Sequence, residues 1–309
     1  MLSVLITAFN EDVVSLVESI RTQCIETAVP FEIIVCDDHS SEFFRKKNER
    51  LTNYPDVTYR YLEKNIGRAR IRNLMASMAR HQWLLFADGD SRVISSFYIK
   101  KYLDAQQAGT VLCGGRVYDP QRPQKREFLL HWKYGIAREQ KPATLRNRFP
   151  YRSFMTSNFL CPAGIFSSVT FDESISGYGH EDTLFGHMLW QKGVPLVHTD
   201  NPLLHEGLIP AGEFLQKGEN AVKNLAALYI RFRKEWELIE GVRILRTFLF
   251  LEKWHLTSLI VFFLRVFHPL FMKNLKGKYP VLLFYDLVRL LWLIEEIRKP
   301  HLLSAQPRE

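Results

Sequence analysis

The stretch Phe31-Glu32-Ile33-Ile34-Val35-Cys36-Asp37-Asp38 decides the fold. Its apolar run is too short and too β-branched for a helix, and it stops on paired acids, as a buried strand does where it leaves a sheet. Upstream, Val13, Leu16, Val17, Ile20 and Cys24 recur at helical spacing behind another short apolar run, Val4-Leu5-Ile6. This predicts a β-α-β opening. Downstream come a strand from Val57 to Leu62, a helix burying Ile71, Leu74, Met75 and Met78, and a strand over Trp83-Leu84-Leu85-Phe86-Ala87 that runs into Asp88-Gly89-Asp90. Two strands therefore end in paired acids. In open α/β sheets ligands sit outside the carboxyl ends of strands, so these acids converge on one crevice if the strands are neighbours.

Further along, Phe154 to Cys161, Phe171-Asp172-Glu173 and Gly177-Tyr178-Gly179-His180-Glu181-Asp182 restore sheet-and-turn chemistry. A helix with Leu184, Phe185, Met188 and Leu189 inward follows, then a strand from Val194 to His198, with His205 beyond it. The basic segment from Gln121 to Arg152 lacks a clean period and reads as an excursion from the core. After about Pro210 the chain turns helical, over Phe214–Glu240, Arg243–His268 and Val281–Arg298, separated by Gly241, Pro269 and Gly277 to Pro280. The expected organisation is a nucleotide-binding and catalytic domain over 1–210 and a C-terminal amphipathic helical region over 211–309. In the second of these helices the polar residues other than Glu252 and His255 fall on one stripe about 140° wide, leaving a broad apolar face. Basic residues beside such a face suit a helix lying on a membrane rather than crossing it.

Composition agrees with a folded chain. Of 309 residues, 47% are apolar and 24% charged, close to globular averages, which excludes disordered, collagenous and repeat-built classes. The net charge of +8 and the isoelectric point near 9.3 favour anionic partners: nucleic acid, nucleotide phosphates or an acidic membrane surface. The four cysteines have no C-x-x-C spacing and read as reduced core residues of a cytosolic protein. The first residues lack the basic n-region of a secretory signal, so no export is expected.

Asp88-Gly89-Asp90 offers two carboxylates on a tight turn, which suits a divalent ion bound together with substrate phosphates. Gly67, Arg68 and Arg72 lie between the two acid pairs and add cations for phosphate. Asp37-Asp38 alone reads equally well as an ordinary turn. Glu181-Asp182 would occupy the first turn of a helix, where the macrodipole lowers carboxyl pKa values and keeps both acids ionised at neutral pH. Gly177 and Gly179 before that pair would let an acceptor approach the backbone closely. The imidazole of His205 can complete a carboxylate site for a Mn-like ion.

Taken in order, Leu2 to Asn10, Ile33 to Ser40, Asn65-Ile66-Gly67 with Ala69 to Asn73, Asp88-Gly89-Asp90, Gly114-Gly115-Arg116, Phe171-Asp172-Glu173 and Gly177 to Asp182 resemble the family-2 glycosyltransferases. The resemblance covers about the first two thirds of the chain and ends at His205. It implies an α/β fold of the GT-A type, a Rossmann-like mixed sheet flanked by helices, here followed by the C-terminal helical region. It implies an inverting transfer of a hexosyl or N-acetylhexosaminyl group from a nucleotide-diphosphate sugar, UDP-linked by expectation, to a hydroxyl of a glycan or lipid-linked acceptor in surface polysaccharide synthesis. Thr7, Phe9, Asn10, Asp38, Gly67, Arg72, Asp88 and Asp90 would bind the nucleotide sugar, with Thr7 and Phe9 at the base, Asp38 accepting its imide N–H, and Arg72 as a phosphate or structural contact. Asp88, Asp90 and His205 would hold Mn²⁺ or Mg²⁺. Asp182 would be the catalytic base and Glu181 would orient the acceptor.

Two positions depart from the family pattern: Ser91 follows the D-x-D where many relatives carry another acid, and His180 stands where Gly is common. The expected location is cytoplasmic, peripheral at the inner face of the cell membrane, with an anionic membrane surface as a further partner and no nucleic acid. The competing readings are a haloacid-dehalogenase-like phosphatase, which wants Thr or Val where Arg92 stands, a nucleic-acid module built on the basic 122–152 stretch, and a catalytically degenerate protein kept for binding nucleotide sugar.

Overall fold

The structure, a computed structural model, describes residues 1–175, 177–232, 235 and 241–299. Among the described residues there are ten strands: β1 Leu2–Ala8, β2 Phe31–Asp37, β3 Val57–Tyr61, β4 Trp83–Asp88, β5 Ser91–Val93, β6 Val111–Cys113, β7 Arg116–Val117, β8 Asn158–Pro162, β9 Leu196–His198 and β10 Leu203–His205. The helices are α1 Val14–Glu26, α2 Glu42–Asn48, α3 Arg68–Met78, α4 Tyr98–Ala105, α5 Leu129–Tyr134, α6 Ala143–Arg146, α7 Ala163–Ser168, α8 Glu181–Gln191, α9 Ala211–Arg231, α10 Arg243–Lys253, α11 Thr257–Leu275 and α12 Leu282–Ile297.

The chain divides into two compact units. The first comprises Met1–Asp119, Arg138–Ser174 and Glu181–Gly207. Its main sheet has the order β3-β2-β1-β4-β8-β6-β9, and a smaller sheet has the order β5-β10-β7. Strands β1 to β4 are parallel, β8 runs antiparallel to both its neighbours, and β9 is parallel to β6. The chain winds outward from β1 through β2 to β3 and then returns to place β4 on the other side of β1. That reversal is a topological switch point, where open α/β sheets carry their ligands. The acid-bearing strands β2 and β4 are therefore not neighbours but flank β1, with Ala8 level with Asp37 and Thr7 level with Asp88.

Both faces of this sheet are covered, which is why its central strands read as continuous apolar runs. One face packs Val4, Ile6, Ile33, Val35 and Leu85 against α1 and α4. On the other, Leu5, Ile34, Phe86, Phe159 and Cys161 meet α3, α7 and α8, with Phe86 stacked on Phe159 at 4.5 Å and Phe171 on Phe185 at 4.4 Å. All four cysteines are free and buried, and burial pushes the thiols of Cys24, Cys36 and Cys113 up to about 12, so they pack as small apolar groups.

The second unit comprises Pro120–Ala137, Ile175–His180 and the residues from Leu208 onward. Two segments before residue 210 thus belong with the C-terminal helices. They do so for packing reasons: Leu130 shares a core with Phe214 and Leu215, His131 stacks on Phe214 at 4.8 Å, and Gly179 lies so close to Ala221 that a Cβ would fall 2.5 Å from the alanine methyl. A larger core joins α9, α10, α11 and α12 through Val222, Leu225, Phe248, Val261, Leu264, Leu293 and Ile294.

Two boundaries differ from the sequence pattern. The expected helix over Arg243–His268 is two helices, broken at Trp254–Leu256 where His255 adopts a left-handed φ of 55°; the single polar stripe loses its phase at that break. Pro269, expected as a separator, lies inside α11, which continues to Leu275. The expected end of the preceding helix at Glu240 lies outside the described residues.

Candidate active site

The carboxyl ends of β1, β2 and β4 bring Thr7, Asp37, Asp38 and Asp88 to one edge of the sheet. Their close approach depends on Gly89, where a Cβ would meet the Thr7 carbonyl oxygen at 2.4 Å and Val13 Cγ1 at 2.7 Å. The β4 turn can tuck against β1 only because that position has no side chain.

Asp37 is wholly buried and structural: it accepts the Ser40 N–H at 2.7 Å and the Tyr59 hydroxyl at 2.8 Å. Asp38 is buried too, and its two oxygens accept the N–H groups of Ile66 at 2.7 Å and Gly67 at 3.0 Å. Burial raises its pKa against the pull of these two bonds, and the charge of Asp37 adds to the rise. Asp38 therefore fixes the loop that leads into α3, where Gly67 holds a φ of 86°. Asn10, with a φ of 55°, ties the β1 loop to the β2 loop by accepting Ser41 N–H at 2.9 Å and donating its own N–H to Ser40 Oγ at 2.8 Å. Thr7 is half-buried at the end of β1, and Phe9 stands 52% exposed beside it.

From α3 a chain of alternating charges crosses the crevice. Arg68 Nε lies 2.5 Å from Glu181 Oε1, and its Nη2 lies 3.5 Å from Asp88 Oδ2. Asp88 Oδ2 also faces Arg116 Nη2 at 3.4 Å, while Arg72, only 2% exposed, closes tightly on Asp88 Oδ1. Arg116 Nη2 continues to Asp90 Oδ1 at 4.0 Å and Nη1 to Glu139 at 3.5 Å. Asp90 Oδ1 finally faces His205 Nδ1 at 3.3 Å. The small sheet builds this last contact, because β10 pairs with β5 so that His205 lies opposite Ser91. Ser91 is thus a buried strand residue, and the imidazole of His205 is held edge-on to Tyr118 at 5.1 Å.

The two acids of the D-x-D turn consequently live in different surroundings. Asp88 is committed to three guanidinium groups. Burial works to raise the pKa of Asp90, but His205 together with the Arg116 and Arg68 cations outweighs it and holds the carboxyl well below its usual range. Asp90 Oδ1 is buried without a well-aligned hydrogen bond, so it and His205 Nδ1 are two donor atoms that could face a divalent cation. Of the three expected ligands, the structure gives Asp88 to the arginines, and no group of three or more His, Cys, Asp or Glu among the described residues is arranged to hold a metal.

Glu181 and Asp182 begin α8, as their spacing predicted. Burial raises the pKa of Glu181, but the Arg68 and Arg72 cations overcome this and keep it low. Asp182 behaves differently from the expectation drawn from the helix dipole: burial first, and then the charge of Glu181, raise its pKa to about 6. Its Oδ1 accepts the Thr183 N–H at 2.7 Å, and no described residue donates to Oδ2. Just before the pair, His180 holds a φ of 70°, a left-handed conformation that favours glycine.

Asp88, Asp90, Glu181 and His205 are therefore joined in one network, whereas Arg72 lies beneath it and Asp38 and Asn10 spend hydrogen-bonding capacity on the loops. Sequence reasoning quoted Arg116 but gave it no role, although it bridges both acids of the turn, and it missed Glu139, which receives Arg116 and the Tyr118 hydroxyl. The glycine pair Gly114-Gly115 was the available sequence signal for Arg116, and in the structure Gly115 holds a φ of 86°. Glu139 sits in an aperiodic basic stretch that carried none.

The model of a family described as glycosyl transferase family 2 matches residues 3–165. A Haemophilus influenzae protein described as an uncharacterized glycosyltransferase is 38% identical over 92 residues, 29% of this chain and 29% of that protein, so the matched stretch spans under a third of the relative's length. Among solved structures, glucosyl-3-phosphoglycerate synthase from Mycobacterium tuberculosis in complex with Mn²⁺, UDP-glucose and phosphoglyceric acid superposes with a TM-score of 0.51 at 16% identity, covering 74% of this chain and 78% of that one. A mannosyltransferase from Pyrobaculum calidifontis in complex with GDP-mannose and Mn²⁺ gives 0.50 at 14% identity, covering 73% and 61%.

Proposed function

The chain belongs to glycosyl transferase family 2, and from that premise we propose that its crevice transfers a hexosyl or N-acetylhexosaminyl group from a nucleotide-diphosphate sugar, UDP-linked, to a hydroxyl of a glycan or lipid-linked acceptor. The observation that carries this reading is the charge chain Glu181–Arg68–Asp88–Arg116–Asp90–His205, which joins the acceptor-side acids to the D-x-D turn.

In this mechanism Thr7 and Phe9 flank the base, and Asp38 uses its remaining lone pairs for the imide N–H while it holds the Gly67 loop. Arg68, partly exposed, and Arg116 trade part of their carboxylate contacts for the donor's diphosphate, where planar guanidinium groups bind phosphate oxygens in pairs. Asp90 and His205 would hold Mn²⁺ or Mg²⁺, which would supply Lewis-acid stabilisation of the diphosphate. Asp182 takes the proton of the acceptor hydroxyl at Oδ2, Oδ1 being fixed by Thr183. The acceptor oxygen then forms its bond to the anomeric carbon as the bond to the diphosphate breaks on the opposite face, which inverts the sugar. Glu181, pinned by Arg68, orients the acceptor and keeps the pKa of Asp182 high enough for it to act as a base near neutrality. The setting that suits this chemistry is surface-polysaccharide synthesis, with the enzyme cytoplasmic and peripheral at the inner face of the cell membrane.

The test is release of nucleoside diphosphate from a panel of nucleotide sugars, with and without Mn²⁺ or Mg²⁺, comparing the wild type with Asp90→Ala. Metal-dependent release that Asp90→Ala loses supports the reading. Absence of release with every donor, together with absence of nucleotide binding by calorimetry, overturns it in favour of a degenerate fold.

A further inference from the structure

The helical unit breaks the usual rule for soluble surfaces. Among the described residues, twelve of the 23 large apolar side chains left exposed lie between Phe250 and Leu283. On α11 they form one face: Leu259, Phe262, Phe263, Val266, Phe267 and Leu270 fall within an arc of about 140° at 100° per residue, with Phe262 62% and Val266 58% exposed. The buried residues of the same helix, Thr257, Val261, Leu264 and Leu275, lie on the opposite side, where Val261 and Leu264 share a core with α12. The helix thus has two apolar faces, and the bundle covers one. A continuous exposed patch of this kind marks an interaction surface.

Its charge says what covers it. From Arg243 to Lys278 the sequence holds seven Arg and Lys residues against one acid, Glu252. Arg265 pairs with Glu295 at 2.8 Å; among the described residues Arg243, Arg246, Lys253, Lys273, Lys276 and Lys278 enter no ion pair. Arg243, Arg246, Thr247 and Phe250 line an open groove of about 330 Å³ on α10, which joins two guanidinium groups and a hydroxyl to an aromatic ring.

By length and composition α11 could cross a bilayer, and only 17% of its most apolar window is buried, but its inner face is fixed to α12, which carries Asp286, Arg289, Glu295 and Glu296. A helix bound to so polar a partner cannot leave it for hydrocarbon, so it can only lie in the interface. A second copy of the same patch would bring like charges together. We propose that the helical unit docks on an anionic phospholipid leaflet, sinking the outer face of α11 with Phe250 and Trp254 into the headgroup boundary and seating a headgroup phosphate in the Arg243–Arg246–Thr247 groove. This deepens the peripheral-membrane part of the functional reading and rests on none of its transfer chemistry.

The test is co-sedimentation of the full chain with phosphatidylcholine vesicles, plain or with about one third phosphatidylglycerol. Affinity should be about tenfold or more higher for the anionic vesicles and should fall in about 0.5 M salt. Arg243→Glu with Arg246→Glu should lower it about tenfold or more, and Phe262→Ser with Phe263→Ser should abolish it. Donor hydrolysis in vesicle-free buffer should be unchanged in both variants, which separates failure of docking from failure of the transferase reading. To guard against misfolding of the serine variant, brominated lipids give a second readout: they should quench tryptophan fluorescence in the wild type and much less in Trp254→Phe. Equal binding to both vesicle types, no binding, or quenching untouched by Trp254→Phe would overturn the proposal. So would a dimer in sedimentation velocity that Phe262→Ser with Phe263→Ser dissociates while vesicles stay unbound, which would assign the patch to self-association.

Discussion

The two units break the rules of burial in opposite senses. In the sheet unit charged groups are buried: Arg72, Asp88 and Glu181 are each less than a tenth exposed. In the helical unit apolar groups are exposed along a whole helix face. The first arrangement tolerates burial because every charge has an opposite neighbour; in the second, the exposed apolar face lies in a stretch of chain rich in basic residues. Each exception is a place where the fold alone does not require the residues it carries. The lesson is that a site is found by asking which buried charge or exposed ring the fold alone does not require.

The largest effect expected from breaking this contrast is on the sheet side. Asp182→Asn keeps the size of the side chain but removes the base, so acceptor-stimulated turnover should fall about 10²–10⁴-fold while donor binding, measured by calorimetry, stays near the wild-type value. If turnover survives, the base lies elsewhere.

Next in size is Arg72→Met. Removing a guanidinium that is 2% exposed leaves Asp88 without its tightest partner, and breaking such a buried pair costs about 3–5 kcal/mol. The urea midpoint should drop accordingly. A neutral result would mean that Arg116 and Arg68 alone satisfy Asp88. Gly89→Ala should have a smaller effect on stability, about 1–3 kcal/mol, because the new methyl must push Thr7 and Val13 aside. It should nevertheless weaken nucleotide binding measurably, since it moves both acids of the turn relative to β1.

Much of the sheet unit was legible from periodicity. The runs ending at Asp37 and Asp88 and the helical spacing between them are properties of buried strands and amphipathic helices, which a chain displays residue by residue. The order of strands was not legible: whether β2 and β4 are neighbours stayed open, and β1 in fact separates them. Arg116 and Glu139 were missed because their pairing depends on a small sheet whose strands are two or three residues long, too short for any pattern. In the helical unit the apolar face was visible, but the break at Trp254–Leu256 was not, since no glycine or proline marks it. Pro269 misled for the opposite reason: its ring sits inside a helix on an exposed face.

The smallest expected effect separates catalysis from stability at a single atom. Burial and the Glu181 charge raise the Asp182 pKa to about 6, against about 3.9 in an unfolded chain. A base acts only when ionised, so acceptor-stimulated turnover should rise with pH through about 6 and be about tenfold lower at pH 5 than on the plateau above 7. Stability should run the other way. A carboxyl with a raised folded-state pKa binds its proton more tightly in the fold than in the unfolded chain, so its contribution is fully present below about 4 and is lost as pH rises through about 6. Asp182→Asn removes the ionisation, and at pH 8 the variant should therefore be more stable than the wild type by about 1–3 kcal/mol while turning over far less. Urea titrations of both proteins at pH 5 and pH 8 measure this: the stabilisation should be present at pH 8 and shrink at pH 5. A variant no more stable at pH 8 would mean that Asp182 is ionised at little cost, that the helix dipole outweighs burial and Glu181, and that any acid limb in turnover belongs to another group.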